Sequence, residues 1–260
     1  NKVYKTLRPK HDFRPGYTWH IDIIYWSFGG VSVRGFTYTL HCYGGCEGSR
    51  LVLNLGLRGE APPKLDLLIT TMRADKRFKQ AYPFFSCVHL DLAGEFLGED
   101  MMAVFRKHNI TEVHWKDPSD KRDNGLAELT VGQFERAVKK TMLMTSSPAH
   151  YFCYHVDYNA RMMNRLPLVR NINSIDGEAR RPLEELFSGG GDFYSREQCN
   201  RDLHALNVPC QLALVTDKDS KGSDLDRLDR CTMAILLGTK GISQIDCGHH
   251  RQHRHSHQVV

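Results

Sequence analysis

"CVHLDLAGEF", residues 87–96, is the stretch on which the reading of this chain turns. Val88, Leu90 and Leu92 alternate with Cys87, His89 and Asp91, the period of two that marks a strand buried on at least one face. An aspartate in such a strand loses hydration that it recovers only from a metal ion, a basic side chain or hydrogen bonds. Gly94 then interrupts the pattern, so Asp91 stands at the end of the strand. It is either the cap of a turn or one arm of a polar site, and the flanking segments decide between the two.

Upstream, "YTWHIDIIYW" (17–26) predicts a strand with aromatic and β-branched residues on both faces and Asp22 in its middle. "RGFTYTLHCY" and "SRLVLNLGLR" predict two more, separated by the turn-rich "GGCEGS". From Glu60 the period changes: prolines open the segment and Leu65, Leu68 and Met72 recur at helical spacing. Downstream of Asp91 a short helix, "EDMMAVFRKHN", precedes a fifth strand, "TEVHW". The polar loop "KDPSDKRDNG" leads into a longer helix, whose Ala127, Val131, Phe134, Val138 and Met142 recur every three or four residues. A further helix, roughly 148–165, ends at Pro167. Three strands, helix, strand, helix, strand, helices is the order of an α/β mixed sheet of five strands, a meander first and helical crossovers after it.

Past Pro167, "VPCQLALVTD" and "RCTMAILLGT" predict two strands around a polar segment, a small β-rich C-terminal appendage over 168–247. The last residues, 248–260, are a low-complexity His-rich tail read as disordered, whose histidines 249, 250, 253, 255 and 257 would take up Ni²⁺ or Zn²⁺ opportunistically. Residues 1–14 form a basic arm with Lys2, Lys5, Arg8, Lys10 and Arg14, suited to phosphate contact. The chain does not start with Met, which suggests a piece or processed product of something longer.

Composition narrows the function classes. Hydrophobic residues at 41% and charged residues at 25% of 260 belong to a globular chain with a real core, not a fibrous or disordered one. No apolar run approaches the roughly 18 residues that span a bilayer. Eight scattered cysteines, with only Cys42 and Cys46 close together, indicate reduced thiols rather than a zinc finger or a disulfide framework.

Three acids share one context: Asp22 inside the first strand, Asp91 at the end of the fourth, Glu128 in the first turn of the long helix. If the first and fourth strands are neighbours and the helix packs against their ends, the three converge. Carboxylates that close repel unless divalent cations lie between them. An all-oxygen site suits Mg²⁺ or Mn²⁺, and two such ions about 4 Å apart stabilise an in-line phosphoryl displacement.

These segments resemble the integrase catalytic core of Ty1/copia-type retrotransposons, a ribonuclease-H-like DDE recombinase. "WHIDI" resembles the family's first-aspartate strand, "LDLAGEF" its D-N-G-G-E-F segment and "DNGLAE" its Q-N-G-V-A-E segment. "MNRLP" (163–167) resembles the end of the core, "RPLEELFSG" (181–189) the P-Y-E-L-W-x-G, and "CTMAILLGTKG" (231–241) the C-I-F-L-G-Y further on. The resemblance implies a catalytic core over 15–167 in which Asp22, Asp91 and Glu128 ligate two Mg²⁺ or Mn²⁺ ions. It also implies 3′-end processing and strand transfer of element DNA into target DNA. Asn124 would shape the loop that delivers Glu128, and Lys139, Lys140, Lys10 and Arg14 would contact DNA. Implied partners are element-end DNA, target DNA, further copies of the chain and a parent polyprotein, with no membrane; the setting would be nucleus and cytoplasmic virus-like particle.

The sequence departs from the family beside the acids. Leu92 and Ala93 follow Asp91 where Asn-Gly is usual; Leu129 and Thr130 follow Glu128 where Arg and a variable residue are usual, and Val131 stands in place of Asn. In the family a His-His-Cys-Cys zinc module precedes the core, and the basic arm at 2–14 would then be the linker that follows it. An inactive or repurposed nucleic-acid-binding module is therefore the alternative to an active enzyme.

Overall fold

The computed structural model describes residues 14–78, 82–91, 94–115, 125–168, 179–187, 195–206, 209, 211–215 and 232–236. Its centre is a five-stranded sheet in the order β3-β2-β1-β4-β5. Strands β1 (Thr18–Tyr25), β2 (Tyr38–Gly44) and β3 (Arg50–Leu55) form the antiparallel meander. Helix α1 (Ala61–Ala74) carries the chain across the sheet to β4 (Cys87–Leu90), which runs parallel to β1. Helices α2 (Gly94–Leu97) and α3 (Glu99–Lys107) make a second crossover to β5 (Glu112–Trp115), parallel to β4. Parallel neighbours need such crossovers, whereas the meander closes through short turns. The mixed sheet of the sequence reading is therefore present.

Each face of the sheet buries its own helices. Trp19, Ile21, Leu40, Cys42, Val88 and Leu90 face α1 and α3, whose Leu65, Leu68, Ile69, Met72, Met101, Val104 and Phe105 complete that core. Ile24 and Trp26 face α4 (Gly125–Met144) and α5 (Phe152–Arg165), through Phe134, Val138, Met142, Phe152, Cys153, Val156 and Ala160. The helical stripe read from the sequence is thus the buried face of α4 from Phe134 onward; Val131 is partly buried against it. The free energy holding both layers is apolar burial, of order 2 kcal/mol for each large side chain removed from water.

Two local features fix where β1 and β4 begin. Gly16 has φ +75°, and a Cβ there would lie 2.8 Å from the Phe78 ring, so only glycine admits this turn and this approach. Its carbonyl accepts the Phe85 N–H at 2.8 Å, starting the β1–β4 ladder. Arg73, in the last turn of α1, donates to the carbonyls of Phe84 (2.9 Å) and His108 (2.7 Å), tying the approach to β4 and the end of α3 to one helix.

Beyond 167 the chain contains α6 (Pro182–Leu186) and α7 (Arg196–Ala205), which the sequence reading did not predict, then the antiparallel pair β6 (Gln211–Val215) and β7 (Thr232–Leu236), which it did. Leu183, Leu186, Phe187 and Cys199 belong to the same buried cluster as Trp19, so packing continues across the expected boundary at 167. Arg165, buried at the end of α5, is paired with Asp202 of α7 at 2.9 Å. Lys10 and the rest of the arm before Arg14, the segment 116–124 with Asn124, Leu92 and Ala93, and the His-rich tail lie outside the described residues.

Candidate functional site

The register between β1 and β4 determines what the acids can do. His20 pairs with His89 and Ile21 with Leu90, so the next residue on each strand is Asp22 and Asp91. Adjacent strands lie about 4.8 Å apart, which puts the two aspartates side by side at the C-terminal end of β4. Because His20 and His89 stack on one another and side chains alternate, both aspartates belong to the face that carries α4 and α5. Both are half-buried, and Asp22 Oδ1 also accepts the Ile23 N–H at 2.7 Å.

On the other side of β1, Asp22 faces His41 of β2. His41 is fully buried against Phe134 of α4, ring centroids 5.1 Å apart. Burial, reinforced by the Arg50 charge, lowers its pKa to about 3, so it is a neutral imidazole beside the first acid. The Phe134 contact also seats α4 over β1 and β2. Glu128 lies six residues earlier on that helix, about 9 Å along its axis, exposed in the first turn. Strand pairing thus sets the two sheet-borne acids at one level of adjoining strands, and the third lies on a helix packed against the same strand; among the described residues the three carboxylates do not form one group of ligand atoms within 4.8 Å of one another.

The expected cationic contacts are less open. Lys139 Nζ lies 3.6 Å from Glu135 and 5.5 Å from the centre of the Phe28 ring. Arg14 lies over the rings of Tyr17 and Tyr82 at 5.2 and 5.8 Å. Lys140 is exposed on α4.

A row of histidines was not singled out from the sequence. His20, His89 and His114 occupy one register line across β1, β4 and β5, with ring centroids 4.7 and 4.6 Å apart. The signal was present: "WHI", "LHC", "VHL" and "VHW" place a histidine between apolar residues in four of the five strands. His114, read as packing around the fifth strand, is exposed.

An oxygen-donor pair at matching register, half accessible and flanked by a helix bearing a third carboxylate, fits a hard divalent cation such as Mg²⁺ or Mn²⁺. No helix among the described residues is long and apolar enough to cross a membrane.

No family model matches the sequence, and no curated protein does. Among solved structures the chain is similar to one in the simian T-cell lymphotropic virus intasome in complex with the PP2A regulatory subunit B56 gamma. The match has a TM-score of 0.50 at 11% identity and covers 86% of this chain and 70% of that one. Identity that low speaks to architecture alone, and the architecture is the ribonuclease-H-like fold: a mixed five-stranded sheet flanked by helices.

Proposed function

We propose that the chain is the catalytic core of a retroelement integrase of the Ty1/copia type, a metal-dependent polynucleotidyl transferase acting on DNA. The observation that carries this reading is the alignment of Asp22 with Asp91 on adjoining parallel strands, beneath a helix whose first turn bears Glu128. Asp22, Asp91 and Glu128 would hold two Mg²⁺ or Mn²⁺ ions. Bound there, such ions supply Lewis-acid stabilisation to the attacking and leaving oxygens of an in-line displacement at phosphorus.

The division of labour among the acids follows from their supports. Asp22 lies within β1, and Asp91 immediately follows the last rung of the β1–β4 ladder, Ile21 with Leu90. Glu128 moves with the start of α4, so seating that helix through Phe134 completes the ligand set. The buried neutral His41 walls Asp22 on the β2 side without adding charge. The attacking group in this chemistry is water during 3′-end processing and a DNA 3′-hydroxyl during strand transfer. Neither step requires a nucleophilic side chain.

Basic residues of the arm, with Arg14, and of α4, with Lys139 and Lys140, are the proposed phosphate contacts; Lys139 would exchange Glu135 and the Phe28 ring for DNA. Asn124 is the proposed loop residue ahead of Glu128. Further copies of the chain, a parent polyprotein and a nuclear and particle-associated setting belong to the same proposal.

The test is nicking and joining of a short duplex in Mg²⁺ or Mn²⁺, comparing the parent with Asp91→Asn and Glu128→Gln. Activity in the parent that is lost in both variants supports the enzyme. Salt-sensitive DNA binding with no turnover in the parent supports an inactive or repurposed nucleic-acid-binding module instead.

A further inference from the structure

We infer that Cys87, His89 and His114 form a binding site for a thiophilic transition-metal ion, zinc above all, chemically separate from the carboxylate site. One ligand atom from each lies within 4.8 Å of the other two, and this is the one such group of three among the described residues. In a tetrahedral zinc centre, bonds of 2.0–2.3 Å put ligand atoms roughly 3.3–3.8 Å apart. The three are thus within about an ångström of closing on an ion, towards which the His89 and His114 rings, now stacked 18° from parallel, would turn.

The sheet explains why they meet. Cys87 and His89 are two apart on β4 and share a face, and His114 is the register partner of His89 on β5. His20 stacks on the opposite side of the His89 ring with an interplanar angle of 24°, holding that ring upright between two neighbours. The burial gradient suits a site with an entrance: Cys87 is fully buried, His89 half-buried and His114 exposed. An ion would enter past His114, and water would complete a fourth position on that side.

Ligand chemistry separates this site from the acids two residues further along β4. A thiolate and two imidazoles select zinc, cobalt or copper(I) over magnesium, whereas carboxylates alone favour the hard cations. An ion bound to Cys87, His89 and His114 would tie β4 to β5 immediately before Asp91, apart from the carboxylates proposed for phosphoryl transfer.

Cobalt(II) titration of the full-length chain under reducing conditions tests the assignment, with thiolate-to-cobalt charge-transfer absorption as the readout. Cys247 immediately precedes the tail with its five histidines, so Cys247→Ser is the control. The expected result is a charge-transfer band in the parent and in Cys247→Ser, displaced by one equivalent of zinc and lost in Cys87→Ser and His114→Ala. His114 is exposed, so its variant folds and keeps the parent's far-ultraviolet circular dichroism. Absence of the band from the parent, its survival in His114→Ala or Cys87→Ser, or its loss in Cys247→Ser overturns the inference.

Discussion

Asp22 and Asp91 each follow a residue of the same paired rung, Ile21 and Leu90, so two carboxylates sit at one level of neighbouring parallel strands. Like charges at about 5 Å repel by a few kcal/mol in an effective dielectric of 20, and partial exposure lowers this to about 1 kcal/mol. In EDTA, Asp22→Asn and Asp91→Asn are each expected to raise stability by about 1 kcal/mol in urea melts. Millimolar Mg²⁺ should raise the parent's melting temperature and leave both variants nearly unmoved, because only a ligand-competent native state gains from the ion. Equal Mg²⁺ stabilisation of parent and variants would contradict a shared cation.

Phe134 supports the third acid at a distance. It is fully buried, packs at a tilt against His41 and lies on the helix that bears Glu128. Phe134→Ala is expected to cost 3–5 kcal/mol in denaturant melts, the usual cost of truncating a buried phenylalanine. Phe134→Leu, which keeps most of the volume, should retain the fold while lowering Mg²⁺-dependent turnover more than DNA affinity.

Asn164 of "MNRLP" closes the far edge of the sheet. Its Oδ1 accepts the Arg50 N–H at 2.6 Å and its Nδ2 donates to the Arg50 carbonyl at 2.7 Å, replacing the strand that β3 lacks on that side. Asn164→Ala strands two buried backbone groups and should cost about 2–4 kcal/mol. Asn164→Asp, which removes the donor and buries a charge, should cost at least as much; calorimetry of both variants checks the order.

His155 is expected to make stability sensitive to mild acid. Fully buried between Thr141 and Ser147, it has a pKa lowered to about 4 by desolvation, against 6.5 in the unfolded chain. The unfolded state therefore binds the proton first as pH falls, so the contribution of this group is complete above pH 6.5 and is lost progressively down to about pH 4. The loss is of order 3 kcal/mol. Urea midpoints measured between pH 7 and pH 4 should fall less steeply in His155→Gln than in the parent.

The elements of the central sheet were legible because each has a local cause. Leu65, Leu68 and Met72 recur at helical spacing and are the buried stripe of α1; alternation around Asp91 gave β4 to within two residues. Helices α6 and α7 were missed because α6 is too short to show a helical period and α7 is mostly polar; Leu183, Leu186 and Cys199 anchor them to the core, with the Arg181–Glu184 capping pair, the Ser195 cap and the Arg165–Asp202 pair beside them.

By itself the sequence determined the kinds and order of the elements and the chemistry available on each: acids at 22, 91 and 128, and histidines set between apolar residues in four strands. Tertiary structure alone decided which of these became neighbours. Alternation fixes the face on which a side chain stands, but not which strand pairs with which, nor at what register. The order β3-β2-β1-β4-β5 and the single rung joining Ile21 to Leu90 put Asp22 beside Asp91 and stacked His20, His89 and His114 into one row. A one-residue slip of β4 against β1 would have turned Cys87, His89 and Asp91 away from the face that carries His20 and Asp22.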